Sequence, residues 1–500
     1  MAREIFSHNW DKMTLEEQRE YRDRKLSHFV RTQLYPYSRF YRKVFDEAKV
    51  HPDDIRSVAD LKRLPFTYKT DIAPGVEEPE KYREFILEPD QESIDKYMPR
   101  AQLMRMKLDR MLKGEAHTKF SLWKKFGPIH VQFTTGRTGL PTPVYYARDD
   151  MERMSETGRR VVELSGIGDK LKCEETVVIN TMPFAPHLAF WMVTTALDRA
   201  GVMSLNSGGG RVLGTERIIA AIEGMNATAV VGIPGYVYHV LRTAAEGGRD
   251  LSKIKLILVG GERVPPGMKE KMAELLEKMG ASDVMVLSAL GFTEARKGYA
   301  ECAPKGDTGY HLYPDLDYIE LVDPESGEPV GEGEDGELVY TCLEGQGTCL
   351  IRFRTGDFVK GGISYEPCPS CGRTVPRLSS DICRCDSVKG LSLTKIKGTL
   401  VDQGAFFAVL DKHPGVEDWQ VEIRKPGTDI YEVDELSVFI AAEKGADEEK
   451  LKEAISAELA AATEVNPNTI EFVSKDEMLA RLRAGTGMKE LRVVDKRPGC

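Results

Sequence analysis

The stretch from about residue 128 to residue 300 constrains the fold most, because short apolar runs alternate there with segments of helical length. The runs at 176–180, 228–232 and 254–259 are rich in Val and Ile. Strand-like runs separated by helical segments are typical of a layered architecture in which helices cover a sheet. The alternation therefore predicts an α/β fold.

The pattern changes on both sides of this stretch. Residues 76–127 are charged and Met-rich, which predicts a helical insertion packed on the main body. Residues 312–365 are predicted to be β-rich. We therefore expect a large layered α/β N-terminal region with a β-rich subdomain over residues 1–383, and a small α+β C-terminal domain over residues 384–500. The predicted elements of the small domain are strands at 392–396, 419–423, 436–440 and 469–473 and helices at 403–410 and 448–462.

Composition excludes several classes of protein. The chain has 500 residues, of which 41% are hydrophobic and 30% charged, and its net charge is −10. An acidic chain is a poor match to nucleic acid, and no apolar run approaches the roughly 20 residues of a membrane span. The N-terminus lacks the apolar stretch of a signal peptide. We expect a cytoplasmic protein without nucleic-acid or membrane partners, since the mixed charges of the insertion disfavour a membrane-surface role.

The segment Thr134–Thr142 is the most informative local motif. It combines hydroxyl side chains with two glycines and lies between apolar runs at 129–133 and 143–146. Glycines let a loop turn tightly and bring backbone N–H groups against a ligand, and Thr hydroxyls add small donors, so the segment suits a polyphosphate. No Gly-Lys-Ser/Thr follows, which excludes a P-loop. From these residues alone, an ordinary hairpin turn remains an open alternative.

Two further motifs follow along the chain. Leu-Gly-Phe-Thr-Glu at 290–294 comes after the apolar run at 284–287. Ile-Arg-Phe-Arg-Thr-Gly-Asp occupies 351–357, where the alternation at 351–353 predicts a strand that leaves the Asp357 carboxylate at its end. Each motif is short, but the order of the three is informative.

Taken in order, these motifs resemble the adenylate-forming superfamily of acyl-CoA synthetases, and most nearly the phenylacetate–CoA ligase family. The resemblance reaches the C-terminal segment Lys-Glu-Leu-Arg-Val-Val-Asp at 489–495. It implies an ATP-dependent acid–CoA ligase that forms an acyl-adenylate and then an acyl-CoA thioester, with ATP, Mg²⁺ and coenzyme A. It also implies that the C-terminal domain is mobile about a hinge at Asp386, although cysteine flanks this hinge position.

The resemblance implies roles for individual residues. Those implied to bind the nucleotide are Thr134, Thr135, Gly136, Arg137, Thr138, Gly139, Gly261, Glu262 and Asp357. The loop would hold phosphates, Gly261 and Glu262 would lie near the adenine, and Asp357 would accept hydrogen bonds from the ribose hydroxyls. The sequence departs from the family at Leu140, where lysine is usual, and at Arg137, where a small residue is usual. Arg137 would supply the missing charge, or the loop would hold the triphosphate weakly.

The implied catalytic set consists of Thr293, Glu294 and Lys489. Glu294 would hold Mg²⁺, and Lys489 would contact the substrate carboxylate and the α-phosphate as a compact cation. Three of the implied site residues also have ordinary interpretations: Glu294 as a solvated loop carboxylate, Asp357 as a turn-forming residue and Lys489 as part of a basic tail. The ordered set favours the functional interpretation.

The acyl pocket is the least constrained part of the prediction. The resemblance assigns one wall to the segment with His187 and Trp191 and a second wall to Gly235 and Tyr236. Aromatic rings with one polar group suit an aromatic or arylacetic acid. A small hydroxy- or branched-chain acid stays open, and His187 is equally well explained as a core histidine.

The cysteines indicate a metal rather than disulfides. Cys368 and Cys371 form a Cys-x-x-Cys knuckle followed by Gly, which is a common half of a zinc site. The obvious completion is Cys383 with Cys385. Some relatives of phenylacetate–CoA ligase look similar in pairing an upstream Cys and His with this knuckle. This likeness favours Cys302, His311, Cys368 and Cys371 as the ligands of a structural zinc ion, and free thiols are the alternative.

Two other functions remain open from the sequence. The altered phosphate loop permits an adenylate-fold protein that has lost activity and acts as a binding protein. An adenylating enzyme that passes its acyl group to a carrier protein is the other alternative. Whether the chain forms a homodimer is also left open.

Overall fold

The chain folds into two compact units in a computed structural model. The described residues are 7, 9–75, 77–134, 142–168, 170–210, 212–262, 264, 266–302, 308–384, 393–396, 399–411, 413–424, 435–463, 465–483 and 490–496. Unit 1 comprises the described residues of Met1–Asn180, Phe184–Leu205 and Leu287–Ile382. Unit 2 comprises those of Thr181–Pro183, Asn206–Val286 and Cys383–Cys500. The predicted domain boundary after residue 383 stays a prediction.

Helices and strands alternate through the middle of the chain, as predicted. The α-helices in the described residues are α1 (Leu15–Phe29), α2 (Tyr35–Tyr37), α3 (Arg39–Ala48), α4 (Lys69–Ile72), α5 (Gln91–Tyr97), α6 (Arg100–Lys113), α7 (Glu115–Phe126), α8 (Arg148–Leu164), α9 (Leu188–Ala200), α10 (Thr215–Gly224), α11 (Pro234–Glu246), α12 (Pro266–Lys278), α13 (Gln403–Leu410), α14 (Glu448–Thr463) and α15 (Lys475–Leu482). The strands are β1 (His130–Phe133), β2 (Pro143–Tyr146), β3 (Val177–Asn180), β4 (Met203–Asn206), β5 (Ala229–Gly232), β6 (Leu256–Gly260), β7 (Met285–Phe292), β8 (Lys297–Ala300), β9 (Tyr310–His311), β10 (Asp317–Val322), β11 (Gly336–Cys342), β12 (Phe353–Val359), β13 (Ile363–Ser364), β14 (Arg377–Leu378), β15 (Ile382–Arg384), β16 (Leu393–Ile396), β17 (Thr399–Asp402), β18 (Val416–Arg424), β19 (Glu435–Ala442), β20 (Thr469–Phe472) and β21 (Val493–Asp495).

Unit 1 combines helices with antiparallel strands. Strands β1 and β2 form a hairpin, β7 and β8 pair across a short turn, and β10, β11 and β12 pair antiparallel in succession. Helices α8 and α9 pack closely at Gly158, where an added Cβ would lie 2.5 Å from the Cβ of Ala196. Glycine is therefore required at this crossing, because any side chain would separate the helices.

Unit 2 contains three sets of paired strands in its described residues, one of which is the antiparallel pair of β16 and β17. Strands β5 and β6 are parallel neighbours, which agrees with their uninterrupted apolar sequences. Strands β20, β19, β18 and β21 form a sheet in that order. Helix α14 places Leu451, Ile455 and Leu459 at intervals of four, so all three share one face and join a core with Trp419.

Alternation along β19 distributes its side chains between two clusters. Val438 and Ile440 join the core with α14, whereas Phe439 and Ala441 pack with residues of α15. Successive strand residues point to opposite faces, so β19 buries both of its faces under helices. This arrangement confirms the predicted secondary structure of the small C-terminal region.

One local prediction is wrong, and a second holds except for one helix. The strand predicted at 351–353 begins only at Phe353 and continues to Val359, because Arg352 has a left-handed backbone with φ of 49°. The insertion is helical, and Phe85, Leu87 and Phe126 pack it on the main body as predicted. Helix α6 is the exception, because it has no buried residue. Among the described residues, no helix has both the length and the apolar character needed to cross a bilayer.

Candidate functional site

The base of the predicted phosphate loop is held by two hydrogen bonds. The amide of Thr134 donates to the carbonyl of Thr142 at 3.0 Å, and the amide of Thr142 donates to Oγ1 of Thr134 at 3.2 Å. These bonds extend the pairing of β1 and β2 to residues 134 and 142. Five of the predicted phosphate ligands, Thr135, Gly136, Arg137, Thr138 and Gly139, lie outside the described residues.

Glu294 lies in the turn between β7 and β8. The amide of Ala295 donates to the carbonyl of Phe292, and the amide of Arg296 donates to the carbonyl of Thr293, each at 3.1 Å. The turn closes with Arg296 in a left-handed conformation at φ 61°. Glu294 is half-buried there, so its carboxylate is carried by an ordered turn rather than by a loose loop.

A buried ion pair supports this turn. Oδ2 of Asp150 lies 3.0 Å from Nη1 of Arg296, and both side chains are almost fully buried. The same carboxylate oxygen accepts hydrogen bonds from the amides of Ala147 at 2.9 Å and Gly347 at 2.7 Å. Burial raises the pKa of Asp150, but Arg296 and Arg153 outweigh that effect, and the pKa stays below its ordinary value.

Sequence reasoning missed Asp150. It stands at the beginning of α8, where an acidic residue is commonly explained as a helix-capping group. Its partner Arg296 is far away along the chain. No local pattern could have paired them.

Asp357 lies within β12 rather than at its end, which corrects the predicted position. The adjacent Gly356 has φ of 75°, a conformation that glycine adopts without strain. The amide of Asp357 donates to Oγ1 of Thr355 at 3.0 Å, and that hydroxyl donates to the carbonyl of Leu338 on β11. The local turn at Gly356 thus fixes the backbone that carries the half-buried carboxylate.

The predicted acyl wall in unit 1 adjoins the base of the phosphate loop. The amide of Phe133 donates to the carbonyl of Pro186 at 2.7 Å, and Nδ1 of His187 donates to the carbonyl of Phe133 at 2.8 Å. That bond engages one ring nitrogen of His187 with the backbone. His187 therefore has a structural role, because it joins the beginning of α9 to the end of β1.

Trp191 stands in a group of aromatic side chains. Its ring centroid lies 5.0 Å from that of His130, 5.8 Å from that of Phe190 and 6.2 Å from that of Phe184. Partial burial lowers the pKa of His130, which favours its neutral form. His130 is a member of this group that sequence reasoning missed.

Unit 2 holds the remaining nucleotide and acyl candidates. Gly261 follows β6 with φ of 90°, and Glu262 comes next along the chain. Gly235 and Tyr236 lie in the first turn of α11, and the Tyr236 hydroxyl shares a hydrogen bond of 3.3 Å with Oγ1 of Thr215. These residues therefore occupy the ends of elements, where ligands commonly bind in α/β folds.

The C-terminal segment reaches this wall of unit 2. A Cβ built on Gly235 would lie 2.2 Å from Oε1 of Glu490, so the two residues are in direct contact. Glu490 also accepts a hydrogen bond of 2.8 Å from Arg492. The predicted catalytic Lys489 precedes Glu490 but lies outside the described residues, as does the predicted hinge Asp386.

The four predicted zinc ligands come together in unit 1. Their ligand atoms all lie within 4.8 Å of one another, and they are contributed by Cys302, His311, Cys368 and Cys371. Sγ of Cys302 is 3.6 Å from Sγ of Cys368, and Sγ of Cys371 is 3.3 Å from Nε2 of His311. Hydrogen bonds with Cys302 and then Cys371 lower the pKa of Cys368, which favours a thiolate.

This donor set fits zinc. Ligand atoms of a tetrahedral Zn²⁺ centre stand about 3.3–3.8 Å apart, given bonds of about 2.0–2.3 Å to nitrogen and sulfur. Both measured separations fall in this range. Cys383 is not a member of the group within the described part of the chain, and Cys385 lies outside that part.

Comparison with known proteins agrees with these features. Residues 67–347 match the model of the AMP-binding enzyme family. The phenylacetate–coenzyme A ligase of Aromatoleum evansii is 25% identical over 466 residues, which cover 92% of this chain and 90% of the relative. The enzyme of that name from Thermus thermophilus is 24% identical over 400 residues, covering 79% of this chain and 76% of the relative.

Solved structures of 2-hydroxyisobutyryl-CoA ligase share the fold. The postadenylation state with 2-HIB-AMP gives a TM-score of 0.75 at 21% identity, covering 99% of this chain and 93% of that chain. The thioesterification state with 2-HIB-AMP and CoA gives a TM-score of 0.60 at 21% identity, and the match covers 100% of this chain and 94% of that chain. The predicted fold class is thereby confirmed, and the family and the relatives confirm the predicted class of AMP-forming acid–CoA ligase. Because the family match spans more than half of its 500 residues, the chain belongs to the AMP-binding enzyme family.

Proposed function

We propose that this enzyme activates a carboxylic acid with ATP and transfers the acyl group to the thiol of coenzyme A. The contact between Glu490 and Gly235 is the observation that carries the proposal. It brings the neighbour of Lys489 against the predicted acyl wall, although the two segments are far apart along the chain. This contact supports assigning the lysine of this segment, Lys489, to the substrate carboxylate.

The chemistry explains why these residue types are required. A carboxylate acylates poorly because its leaving group would be oxide. Attack of the carboxylate oxygen on the α-phosphate of ATP forms a mixed anhydride and releases pyrophosphate, and a thiol then displaces AMP. Cations and backbone N–H groups aimed at the developing charge stabilise such a crowded phosphoryl transition state.

Each candidate residue has a defined task in the first half-reaction. The loop 134–139 holds the β- and γ-phosphates through hydroxyl and N–H donors. Asp357 accepts hydrogen bonds from the ribose hydroxyls, and Gly261 and Glu262 border the adenine. Lys489 neutralises repulsion between the carboxylate and the α-phosphate.

We assign Mg²⁺ to Glu294, next to Thr293. A half-buried carboxylate on an ordered turn fits the preference of Mg²⁺ for oxygen ligands. When bound, the ion offsets phosphate charge and orients the phosphate oxygens. Asp150 and Arg296 keep the Glu294 turn in place for this task.

We assign a structural Zn²⁺ to the group of Cys302, His311, Cys368 and Cys371. Four protein ligands leave no open position for a substrate, so this site holds loops together and takes no part in the reaction. The ion would join β9 and the Cys-x-x-Cys knuckle of unit 1.

The acid that we favour is aromatic or arylacetic. The ring group of His130, Phe184, Phe190 and Trp191 next to the phosphate-loop base supports this choice, because aromatic pockets bind flat apolar substrates. A small hydroxy- or branched-chain acid is the alternative. We place the enzyme in the cytoplasm on the sequence argument given above.

A product analysis with a panel of acids tests the proposal. Purified enzyme is incubated with ATP, Mg²⁺, CoA and one acid at a time from an aromatic, an arylacetic, a hydroxy and a branched-chain set. We expect AMP, pyrophosphate and an acyl-CoA in equal amounts with an aromatic member. ADP and phosphate as products would overturn the proposal, because they indicate acyl-phosphate chemistry.

Reactions without CoA separate the alternatives. A CoA-dependent ligase consumes the acyl-adenylate when CoA is added. Accumulation of acyl-adenylate that CoA does not discharge would indicate transfer to a carrier protein. Absence of pyrophosphate with every acid would indicate an inactive binding protein.

A further inference from the structure

The helical hairpin formed by α6 and α7 carries an unusual concentration of exposed apolar side chains. Six of the eleven exposed large hydrophobic side chains in the described part of the chain belong to it: Met104, Leu108, Met111, Leu112, Phe120 and Trp123. Met111 is 80% exposed and Met104 is 71% exposed. Single exposed apolar residues are common, but a cluster of this kind marks an interaction surface.

The exposed large apolar residues of α6 share one face. Met104, Leu108, Met111 and Leu112 are spaced by four, three and one, which places them along a single stripe of the helix. Leu103 and Met106 are partly buried on the other side of α6. The hairpin is attached through the end of α7, where Phe126 is buried and packs edge-on against Tyr37 with ring centroids 5.4 Å apart. The outward stripe is therefore separate from the anchor.

The hairpin is strongly basic within an acidic protein. Residues 100–126 contain eight Lys and Arg and only two acidic residues, which gives a net charge of +6. The whole chain has a net charge of −10, so the remainder carries −16. Helical spacing places Arg105 and Lys107 on opposite flanks of the apolar stripe. The charges of the wider insertion are mixed, but basic residues outnumber acidic ones four to one in the exposed hairpin, which revises the sequence-based expectation.

We propose that this hairpin binds the surface of an anionic lipid bilayer. An apolar stripe flanked by Lys and Arg, with Trp and Phe nearby, is the pattern of helices that lie in the bilayer interface. Anionic headgroups match the cationic flanks. The described helices are unsuited to crossing a bilayer, so the contact is peripheral.

The size of the surface favours a bilayer over a second protein. Helix α6 has 14 residues, so it is about 21 Å long and offers an apolar face of about 200 Å². A stable protein interface buries about 800 Å² on each partner and needs complementary shape. A bilayer requires no matching shape and surrounds whatever apolar surface enters it.

Vesicle flotation of the full-length protein tests the proposal. We expect the protein to float with vesicles of phosphatidylcholine and phosphatidylglycerol, not with phosphatidylcholine alone, and to dissociate as NaCl increases. L108E/M111E places charges in the apolar stripe and is expected to abolish binding. M203E is the matched control, because Met203 is also exposed, at 60%, but lies outside the hairpin.

Charge reversal on the flanks gives an independent measurement. R105E/K107E is expected to weaken binding to the anionic vesicles by about tenfold or more, since each basic residue near the surface contributes severalfold. The control K444E, at an exposed lysine of the C-terminal region, is expected to bind as the wild type does. The fluorescence of Trp123 is expected to shift to the blue on binding, and W123F is expected to lose that shift.

Three results would overturn the proposal. They are no binding of wild type to anionic vesicles, equal loss of binding in M203E or K444E, and a concentration-dependent dimer that L108E/M111E dissociates. The last result would identify a second copy as the occupant. Flotation needs no catalytic turnover, so this test is independent of the proposed ligase activity. The hairpin variants are expected to retain the ligase activity of the wild type.

Discussion

At the scale of single residues, Asp150 has the largest structural consequence for the site. Its carboxylate connects the beginning of α8, the loop at Gly347 and the turn that ends at Arg296. A buried charge of this kind is stable only while its partners remain, because either charge alone would lack the solvation it has in water. The position of Glu294 therefore depends on a residue outside every motif.

Asp150→Asn is expected to lower the free energy of unfolding by about 3 kcal/mol, since it leaves the Arg296 charge buried without its partner. Chemical denaturation at neutral pH measures this change. Asp149→Asn, the neighbouring residue in α8, is the matched control and is expected to behave as the wild type. A stable Asp150→Asn protein would mean that the ion pair contributes little.

The stability contributed by Asp150 is expected to depend on pH in a defined direction. Its pKa is lower in the folded protein than in the unfolded chain. The contribution is therefore complete above the unfolded pKa of about 4 and is lost as pH falls toward the lowered folded value. Unfolding free energies of the wild type and Asp150→Asn should approach each other below about pH 4, and a constant difference would contradict this.

Glu294→Gln is expected to reduce magnesium-dependent turnover by about 100-fold, equivalent to about 3 kcal/mol, because it removes a charged metal ligand while keeping the volume. The melting temperature should change little. Pyrophosphate release over a range of Mg²⁺ concentrations measures the effect. Glu325→Gln, at an exposed loop position, is the control, and unchanged kcat at saturating Mg²⁺ would show that Glu294 is not a ligand.

At the scale of elements, the cysteine group joins parts of unit 1 that themselves have little regular structure. His311 lies on β9, which has only two residues, and Cys368 and Cys371 lie in the turn before β14. Such short strands cannot hold loops in place through hydrogen bonds alone. A bound ion would supply the missing constraint.

The purified protein is expected to contain about one zinc ion per chain. Cys302→Ser is expected to lose the metal and to unfold at a lower temperature, because a three-ligand remnant binds zinc weakly. Cys383→Ser is the matched control and is expected to keep the ion. Elemental analysis with thermal unfolding measures both effects. Loss of zinc in Cys383→Ser but not in Cys302→Ser would show that Cys383, and not Cys302, is a zinc ligand.

At the scale of the whole molecule, the C-terminal region and α11 are held together by polar contacts within unit 2. Nη1 of Arg242 lies 3.3 Å from Oε1 of Glu417, and the ammonium of Lys475 pairs with the carboxylate of Glu246 at the end of α11. Glu490 contacts Gly235 at the other end of α11. Polar contacts of this kind separate more easily than an apolar interface. The homodimer and the cytoplasmic location stay predictions.

Lys489→Ala is expected to slow adenylation strongly while sparing thioester formation from acyl-adenylate supplied with CoA. The substitution removes the cation that joins the carboxylate and the α-phosphate, a loss of about 3 kcal/mol or about 100-fold. Pyrophosphate release and CoA-thiol consumption measure the two half-reactions separately.

Lys496→Ala is the matched control for that experiment. Nζ of Lys496 lies 2.7 Å from Oε2 of Glu422, so this lysine is engaged in an ion pair on the same segment. It is expected to leave both half-reactions unchanged. An equal loss of both half-reactions in Lys489→Ala would indicate a role in folding or CoA binding.

The sequence by itself determined the elements and the family. The helix predicted at 448–462 is α14, with Leu451, Ile455 and Leu459 on its buried face, because helical periodicity depends only on near neighbours. The order of the motifs identified the class of enzyme, because that order is visible in the sequence alone. Arg352 is an exception: its sequence surroundings predict a strand, but its backbone is left-handed and the strand begins only after it.

Only the tertiary structure decided which distant side chains meet. The sequence left two completions of the cysteine site, and the fold brings Cys302 and His311 to the knuckle. It likewise pairs Asp150 with Arg296. Such contacts depend on the path of the chain between the partners, and that path is determined by the packing of many elements at once rather than by any local pattern.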